Sequence, residues 1–352
     1  MKLNHAILHV FDFNACVNTL ANEEMDLANK NTKNYVSRHA KRALENLDNR
    51  RGEFSSESRF APVLEDYARG IGSFVELSRN IAEYIAEQLG YQEKSDSCDL
   101  LVVDFEDEVE ASVGEMSEEE ANDSYQGRGD RYLAILILDA KPAYAHESER
   151  DEYGCRNDVV RHRVILPGPS QKVQSYAVVD LRTLDVRFCD KKRTIAGEEM
   201  YLIPDGLLQC SSEPSVKESF SAVIETVEAV AEEYGANPAV AASRAKAYVA
   251  DNAEASDDVY LEEIARDVFE SDEMRDRFEQ AASAREIPEH VSIDRQAAQK
   301  VAKSHKIRTD TGIEITFPAA YSRNPEYLTF TSEADGTYSI SMRNIGHIEN
   351  RF

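Results

Sequence analysis

Tyr132-Leu133-Ala134-Ile135-Leu136-Ile137-Leu138 is the longest apolar run in the chain. Its length suits a β-strand and falls far short of the roughly 18 residues of a membrane-spanning helix. Working outward, the runs 99–105, 159–166, 173–181 and 184–189 read as further strands, the first of them holding Leu100-Leu101-Val102-Val103. Leu181-Arg182-Thr183-Leu184 is short enough to be a hairpin connection. Upstream, 5–11 suits a short strand, and 13–29 and 35–48 read as helices. Two more helices follow, Ala61 to Arg69 with Pro62 near its start and Phe74 to Leu89 stopped by Gly90. Helices first and neighbouring strands afterwards predict an α+β fold with an antiparallel sheet.

The composition changes at Gln209 to Pro214, where Cys-Ser-Ser-Glu-Pro has the chemistry of a linker and a helix start. The predicted division is therefore an α+β domain over 1–212 and a helical domain over 213–352. In the second, Val216 to Tyr234, Pro238 to Ala250, Val259 to Phe269 and Ser271 to Ala284 have helical patterns, with Gly235 and Pro288 as stops. Residues 291–304 read as one more helix, and the tail from Gly312 as a small β-sheet with a terminal hairpin. No repeat at a fixed period is present.

The 352 residues include 66 acids and 40 bases, a net charge of -26. Affinity for nucleic acid comes from neutralising phosphates, so this balance argues against a histone-like coat. Any contact with a polyanion must be local. Between Asp107 and Asp123 lie eight acids and no Lys or Arg. The stretch 107–123 is expected to be an acidic surface loop, either solvated or docked on a basic partner. Cys16, Cys98, Cys155, Cys189 and Cys210 are scattered and never spaced as Cys-x-x-Cys. They read as reduced thiols of a cytoplasmic protein, without a disulfide framework or zinc site. Neither a secretory signal nor a membrane span is expected.

Three cationic stretches run against the overall field. Lys300, Lys303, Lys306 and Arg308 surround His305; Lys300 and Lys303 share a face of the expected helix, and Lys306 and Arg308 carry the charge into a loop. Arg38, Lys41 and Arg42 form a second stretch, with Arg50 and Arg51 after the helix. Lys191, Lys192 and Arg193 form a third, with Arg187 before them. Each also has a plain reading, as a helix C-terminus that favours cations or as a solvated face. The chain has no Trp, helix-turn-helix or zinc-finger spacing, so base-specific reading is not expected.

A hydrolytic reading rests on Asp139-Ala140-Lys141 with Asp104 and Glu106. Such carboxylates could hold Mg²⁺ in a nuclease, although Asp-x-Lys recurs by chance. His5, His9 and His146 lack the companions of a metal site, and no phosphate-binding loop or nucleophile elbow is present. No cofactor is expected.

The tail continues through Thr309-Asp310-Thr311-Gly312, Ile313-Glu314-Ile315-Thr316-Phe317-Pro318, Asp335-Gly336 and Asn344-Ile345. In this order, after the basic segment, it resembles the C-terminal part of the 37-kDa nucleoid-associated protein family of bacteria. His5 to Val10, Phe54 to Ser58, Leu100 to Val103 and Tyr132 to Leu138, ending near His146, extend the resemblance over most of the chain. What it implies is association with bacterial chromosomal DNA in the nucleoid, without catalysis. The leading expectation is nonspecific DNA binding through the three cationic stretches. The alternative is an adaptor whose acidic segments, 107–123 or 213–289, engage a DNA-handling protein such as a topoisomerase. A homo-oligomer is compatible with either.

Overall fold

The structure is a computed structural model. It describes residues 1–107, 130–151, 154–253, 256, 258–293, 298, 302, 304–333 and 337–349. Apart from Asp107 the acidic stretch 107–123 lies outside these residues, as do Lys300, Lys303 and Asp335-Gly336. The chain divides into two compact units, Met1–Glu213 and Pro214–Phe352.

The first unit contains β1 (Lys2–Asp12), β2 (Val17–Thr19), α1 (Lys30–Leu44), β3 (Arg50–Gly52), α2 (Ala61–Ala68) and α3 (Phe74–Gly90). There follow β4 (Cys98–Asp107), β5 (Asp130–Asp139), β6 (Lys141–Asp151), β7 (Gly154–Ile165), β8 (Ser175–Asp180), β9 (Val186–Cys189), β10 (Lys192–Ile195), β11 (Glu198–Tyr201) and a π-helical segment, Leu202–Leu208. Seven strands form one sheet in the order β2-β1-β4-β5-β8-β9-β3, every pair antiparallel. β6 with β7, and β10 with β11, are separate hairpins.

Both faces of the central sheet are covered, which explains the uninterrupted run from Tyr132 to Leu138. Leu133, Ile135 and Ile137 point to one side, where Leu77, Ile81 and Ile85 of α3 and Leu64 of α2 cover them. Ala134, Leu136 and Leu138 point to the other, toward Val36, Ala40, Ala43 and Leu44 of α1. Each such buried aliphatic side chain contributes roughly 1.5–3 kcal/mol relative to exposure. Asn29 caps α1 by accepting from the backbone N–H groups of Asn31 and Thr32, and Ser73 with Glu76 forms a capping box on α3.

Residues 13–29 hold no helix. The Asp12 carboxylate accepts from the N–H groups of Asn14 and Ala15, both at 3.1 Å, and from the Ser97 hydroxyl at 2.9 Å. Cys16 adopts a left-handed φ of 53°, and the chain turns back as β2 against β1. Local turn chemistry prevails over helical patterning there.

The second unit contains α4 (Val216–Glu233), α5 (Pro238–Asn252), β12 (Asp258–Tyr260), α6 (Leu261–Val268), α7 (Asp272–Ala284) and β13 (His290–Ser292). β14 (Ser304–Arg308), β15 (Glu314–Pro318), a 3-10 helix (Ala319–Arg323), β16 (Leu328–Ser332) and β17 (Tyr338–Met342) complete it. α4 packs on α5 and α7, and α6 on α5 and α7. The helix expected over 291–304 is corrected at both ends, since Val291 pairs with Val259 in β12–β13 and Ser304 opens β14. The tail holds two hairpins, and the first uses the basic segment itself as a strand, pairing β14 with β15.

Candidate nucleic-acid interface

From Lys30 to Leu44, α1 carries five cations and no carboxylate. Its buried stripe is Val36, His39, Ala40, Ala43 and Leu44. At about 100° per residue, Arg38, Lys41 and Arg42 fall on the opposite side, in solvent. Lys30 and Lys33 are exposed nearer the N-terminus. Among the described residues Lys41 pairs with Glu45, at 3.6 Å across an exposed turn, a contact worth roughly 0.3–0.5 kcal/mol. The Arg42 guanidinium donates to the Ser170 and Pro169 carbonyls, which orients it without neutralising it. Arg38 has no hydrogen bond or ion pair among the described residues. The macrodipole accounts for cations in the last turn, where Lys41 and Arg42 sit, but Arg38 lies outside that turn.

β3 brings a further pair to this side of the sheet. Arg51 stands opposite Arg187 in the β3–β9 register, and Arg187 opposite Val178, whose side chain is buried with α1. Both arginines are exposed and lack an ion-pair partner among the described residues. Arg51 also has Glu213 opposite it on its other side, so Arg187 carries the larger share of the positive potential that this pair adds on the α1 side. Arg50 donates to the Ser212 hydroxyl at 2.9 Å.

The third stretch splits by role. Arg193 is buried, donating to Asp190 at 2.7 Å and to the Ser175 hydroxyl at 2.8 Å, while Asp190 also accepts from the Ile203 N–H at 2.9 Å. This corrects its expected role, because a sequestered guanidinium that binds β8 to the segment after β9 has no face for phosphate. Lys191 and Lys192 are exposed. Lys191 lies 3.3 Å from Asp139, and the Lys192 ammonium sits 5.9 Å from the centroid of the Tyr201 ring.

The C-terminal segment is less positive than its composition implies. Lys306 and Arg308 project from a strand, where a loop was expected, and Glu314 of β15 lies beside them. Glu314 forms an ion pair with Lys306 at 2.7 Å and is the direct cross-strand neighbour of Arg308. His305 points inward with neither ring nitrogen hydrogen-bonded. Burial, with Lys246 nearby, pushes it down to about 4, so it adds no charge at neutral pH.

The hydrolytic constellation does not assemble. Asp104 pairs in register with Leu133, whereas Asp139 pairs with Cys98. The two carboxylates are thus six positions apart along the sheet, roughly 20 Å at about 3.3 Å per residue. The Asp104 carboxylate is fully buried and saturated by the Tyr67 hydroxyl at 2.5 Å, the Arg131 guanidinium at 2.5–3.1 Å and Asn4 at 3.0 Å. Desolvation first, then the carboxylate, drives the Tyr67 phenol above its usual range. This is a structural network. Among the described residues no group of three His, Cys, Asp or Glu side chains could hold a metal ion.

The model of the nucleoid-associated protein YejK family matches residues 7–346, nearly the whole chain. The chain belongs to that family. Among curated proteins, none matches it. Membership in the nucleoid-associated family carries a nucleoid-associated role, as the C-terminal motif order implied. Among the described residues, no helix is long and apolar enough to cross a membrane. Lys30 and Lys33 were missed by a helix start placed at 35. The acid-free interval after Asp26, with Asn29 as a cap, was the signal that marks them.

Proposed function

We propose that the chain joins the nucleoid by gripping the DNA backbone directly, without reading bases. The contact is the solvent face of α1, with Arg38, Lys41 and Arg42 at its centre and Arg51 and Arg187 beside it. The single observation that supports this is a carboxylate-free helix of five cations on a chain of charge -26. Phosphate contacts of this kind fix position and carry no sequence information. The acidic remainder repels the duplex elsewhere and limits the protein to local attachment. Lys191 and Lys192, and the segment with Lys300, Lys303, Lys306 and Arg308, are secondary contacts in this reading.

The test is retention on immobilised duplex DNA and on isolated nucleoids. Wild-type protein binds duplexes of unrelated sequence alike, and Arg38→Glu/Lys41→Glu/Arg42→Glu elutes at markedly lower salt. If the variant elutes with wild type, α1 is not the contact. If wild type ignores duplex DNA yet stays with nucleoid proteins after nuclease treatment, the adaptor reading replaces this one.

A further inference from the structure

The hairpin β6–β7 is inserted between β5 and β8, which pair with each other directly in the main sheet. It leaves at the sheet end where β5 stops and β8 starts, and its two strands pair only with each other. Every side chain from Tyr144 to Arg150 and from Gly154 to Arg161 is exposed, except the half-buried Val160. A two-stranded ribbon bare on both faces is marginal in water by itself, so its form calls for an occupant.

The two faces differ in chemistry. Alternation along the register puts Tyr144, His146, Arg150, Asn157, Val159 and Arg161 on one face, together with Ser148 and Cys155. Side-chain bonds agree with this division. Ser148 donates to Asn157 at 2.7 Å on that face, and Arg156 pairs with Asp158 at 2.8 Å on the other. Glu147, Glu149 and Asp158 lie on the second face, whereas the first has no carboxylate among the described residues. Arg150 and Arg161 have no ion-pair partner among the described residues, and Tyr144 is 71% exposed beside Arg161. On a chain this acidic, an extended strip whose described residues hold two unpaired guanidinium groups and no acid is complementary to a polyanion.

Dimensions select the polyanion. Ten register pairs at about 3.3 Å per residue span roughly 33 Å, close to one turn of duplex DNA at ~34 Å. The duplex major groove, about 12 Å wide, admits a two-stranded β-ribbon. The arm's return loop is also tied to α1, through Arg42 to the Pro169 and Ser170 carbonyls and the Tyr35 hydroxyl to the Pro167 carbonyl at 2.9 Å. We infer that β6–β7 is a DNA-binding arm. It lays its Tyr144/Arg150/Arg161 face along a duplex groove, with the two arginines on phosphates and α1 on the adjoining backbone. This rests on the direct-contact reading above and gives it a second, separable element.

The experiment uses the full chain and a labelled 24-base-pair duplex, followed by anisotropy between 50 and 200 mM KCl. Arg150→Ala/Arg161→Ala is compared with a charge-matched control, Arg69→Ala/Arg156→Ala, whose arginines are ion-paired away from the face. The arm variant is expected to lose about tenfold or more in affinity, and its salt slope to fall by about 1.8, roughly 0.9 for each of two phosphates. The control stays within twofold. Equal losses in both variants, or none in either, overturn the arm while leaving α1 standing. No binding by wild type at 50 mM overturns the direct-contact reading and the arm with it. Unchanged DNA affinity with loss of a wild-type dimer in sedimentation gives the arm to a second copy of the chain and also overturns the proposal.

Discussion

The α1 helix and the β14 strand are both cationic in sequence and differ in what the fold sets against them. The solvent face of α1 meets two backbone carbonyls, Pro169 and Ser170, through Arg42, and one carboxylate just past its end, Glu45 beside Lys41, while its own fifteen residues hold none. β14 is hydrogen-bonded to β15, and strand pairing places another segment's side chains about 4.5–5.5 Å away. The segment delivered brings Glu314, which forms an ion pair with Lys306 and stands opposite Arg308 in the register. A run of cations on a helix can therefore survive as potential, whereas the same run on a paired strand inherits its partner's charge. The arm repeats the lesson within one hairpin. Arg156 is neutralised by Asp158, and the next positions, on the opposite face, are free of acid.

The sharpest way to break the distinction between available and structural cations is Arg193→Ala. Removing the guanidinium leaves the Asp190 carboxylate buried and without its counter-ion. Breaking such pairs costs about 3–5 kcal/mol. Urea unfolding should register about that loss for the first unit, and a change under 1 kcal/mol contradicts the assignment. Acid titration has a somewhat smaller expected effect. His9 and His305 are buried and held at about 4, by desolvation first, with Arg79 adding for His9 and Lys246 for His305. An unfolded histidine titrates near 6.5, so between about pH 6.5 and 4 the unfolded chain binds more protons. Stability therefore falls as pH drops through that window. From pH 7 to 5 each histidine contributes a loss of roughly 2 kcal/mol to its own unit, at ~1.36 kcal/mol per pH unit. Unfolding midpoints that hold level from pH 7 to 5 contradict it. The smallest effect sharpens the comparison most finely. Glu314→Ala releases Lys306 and Arg308, and duplex affinity should rise about two- to threefold, consistent with an exposed pair worth under ~1 kcal/mol. A fall in affinity contradicts the neutralisation.

Much of the first unit's architecture was legible in its amino acids. The strands around Leu100–Val103 and Tyr132–Leu138, the Leu181–Leu184 connection, and the helices opening near Pro62 and ending at Gly90 all follow from apolar patterning and turn chemistry. Hydrogen bonds made by single polar atoms were not legible. The Asp12 turn replaced an expected helix by β2, and 304–308 became a strand because Pro318 to Glu314 run antiparallel to it. For the site, the α1 cations were visible, but the burial of Arg193, the masking of Lys306 and the facing of Arg51 with Arg187 depend on register. Of the arm, the end of β7 was legible as the strand expected at 159–166, while β6 and the start of β7 escaped notice because they alternate between two polar faces, so no apolar period marks them.

The central claim is that the helix, more than the C-terminal strand, supplies the phosphate contacts. Salt dependence of duplex binding tests it directly when Arg38→Ala/Lys41→Ala/Arg42→Ala and Lys306→Ala/Arg308→Ala are measured side by side. The account predicts that the helix variant lowers the slope of log affinity against log salt by about 2.7, roughly 0.9 for each of three phosphates, and the strand variant by less than about 1. A strand variant that loses as much slope as the helix variant, or more, contradicts it.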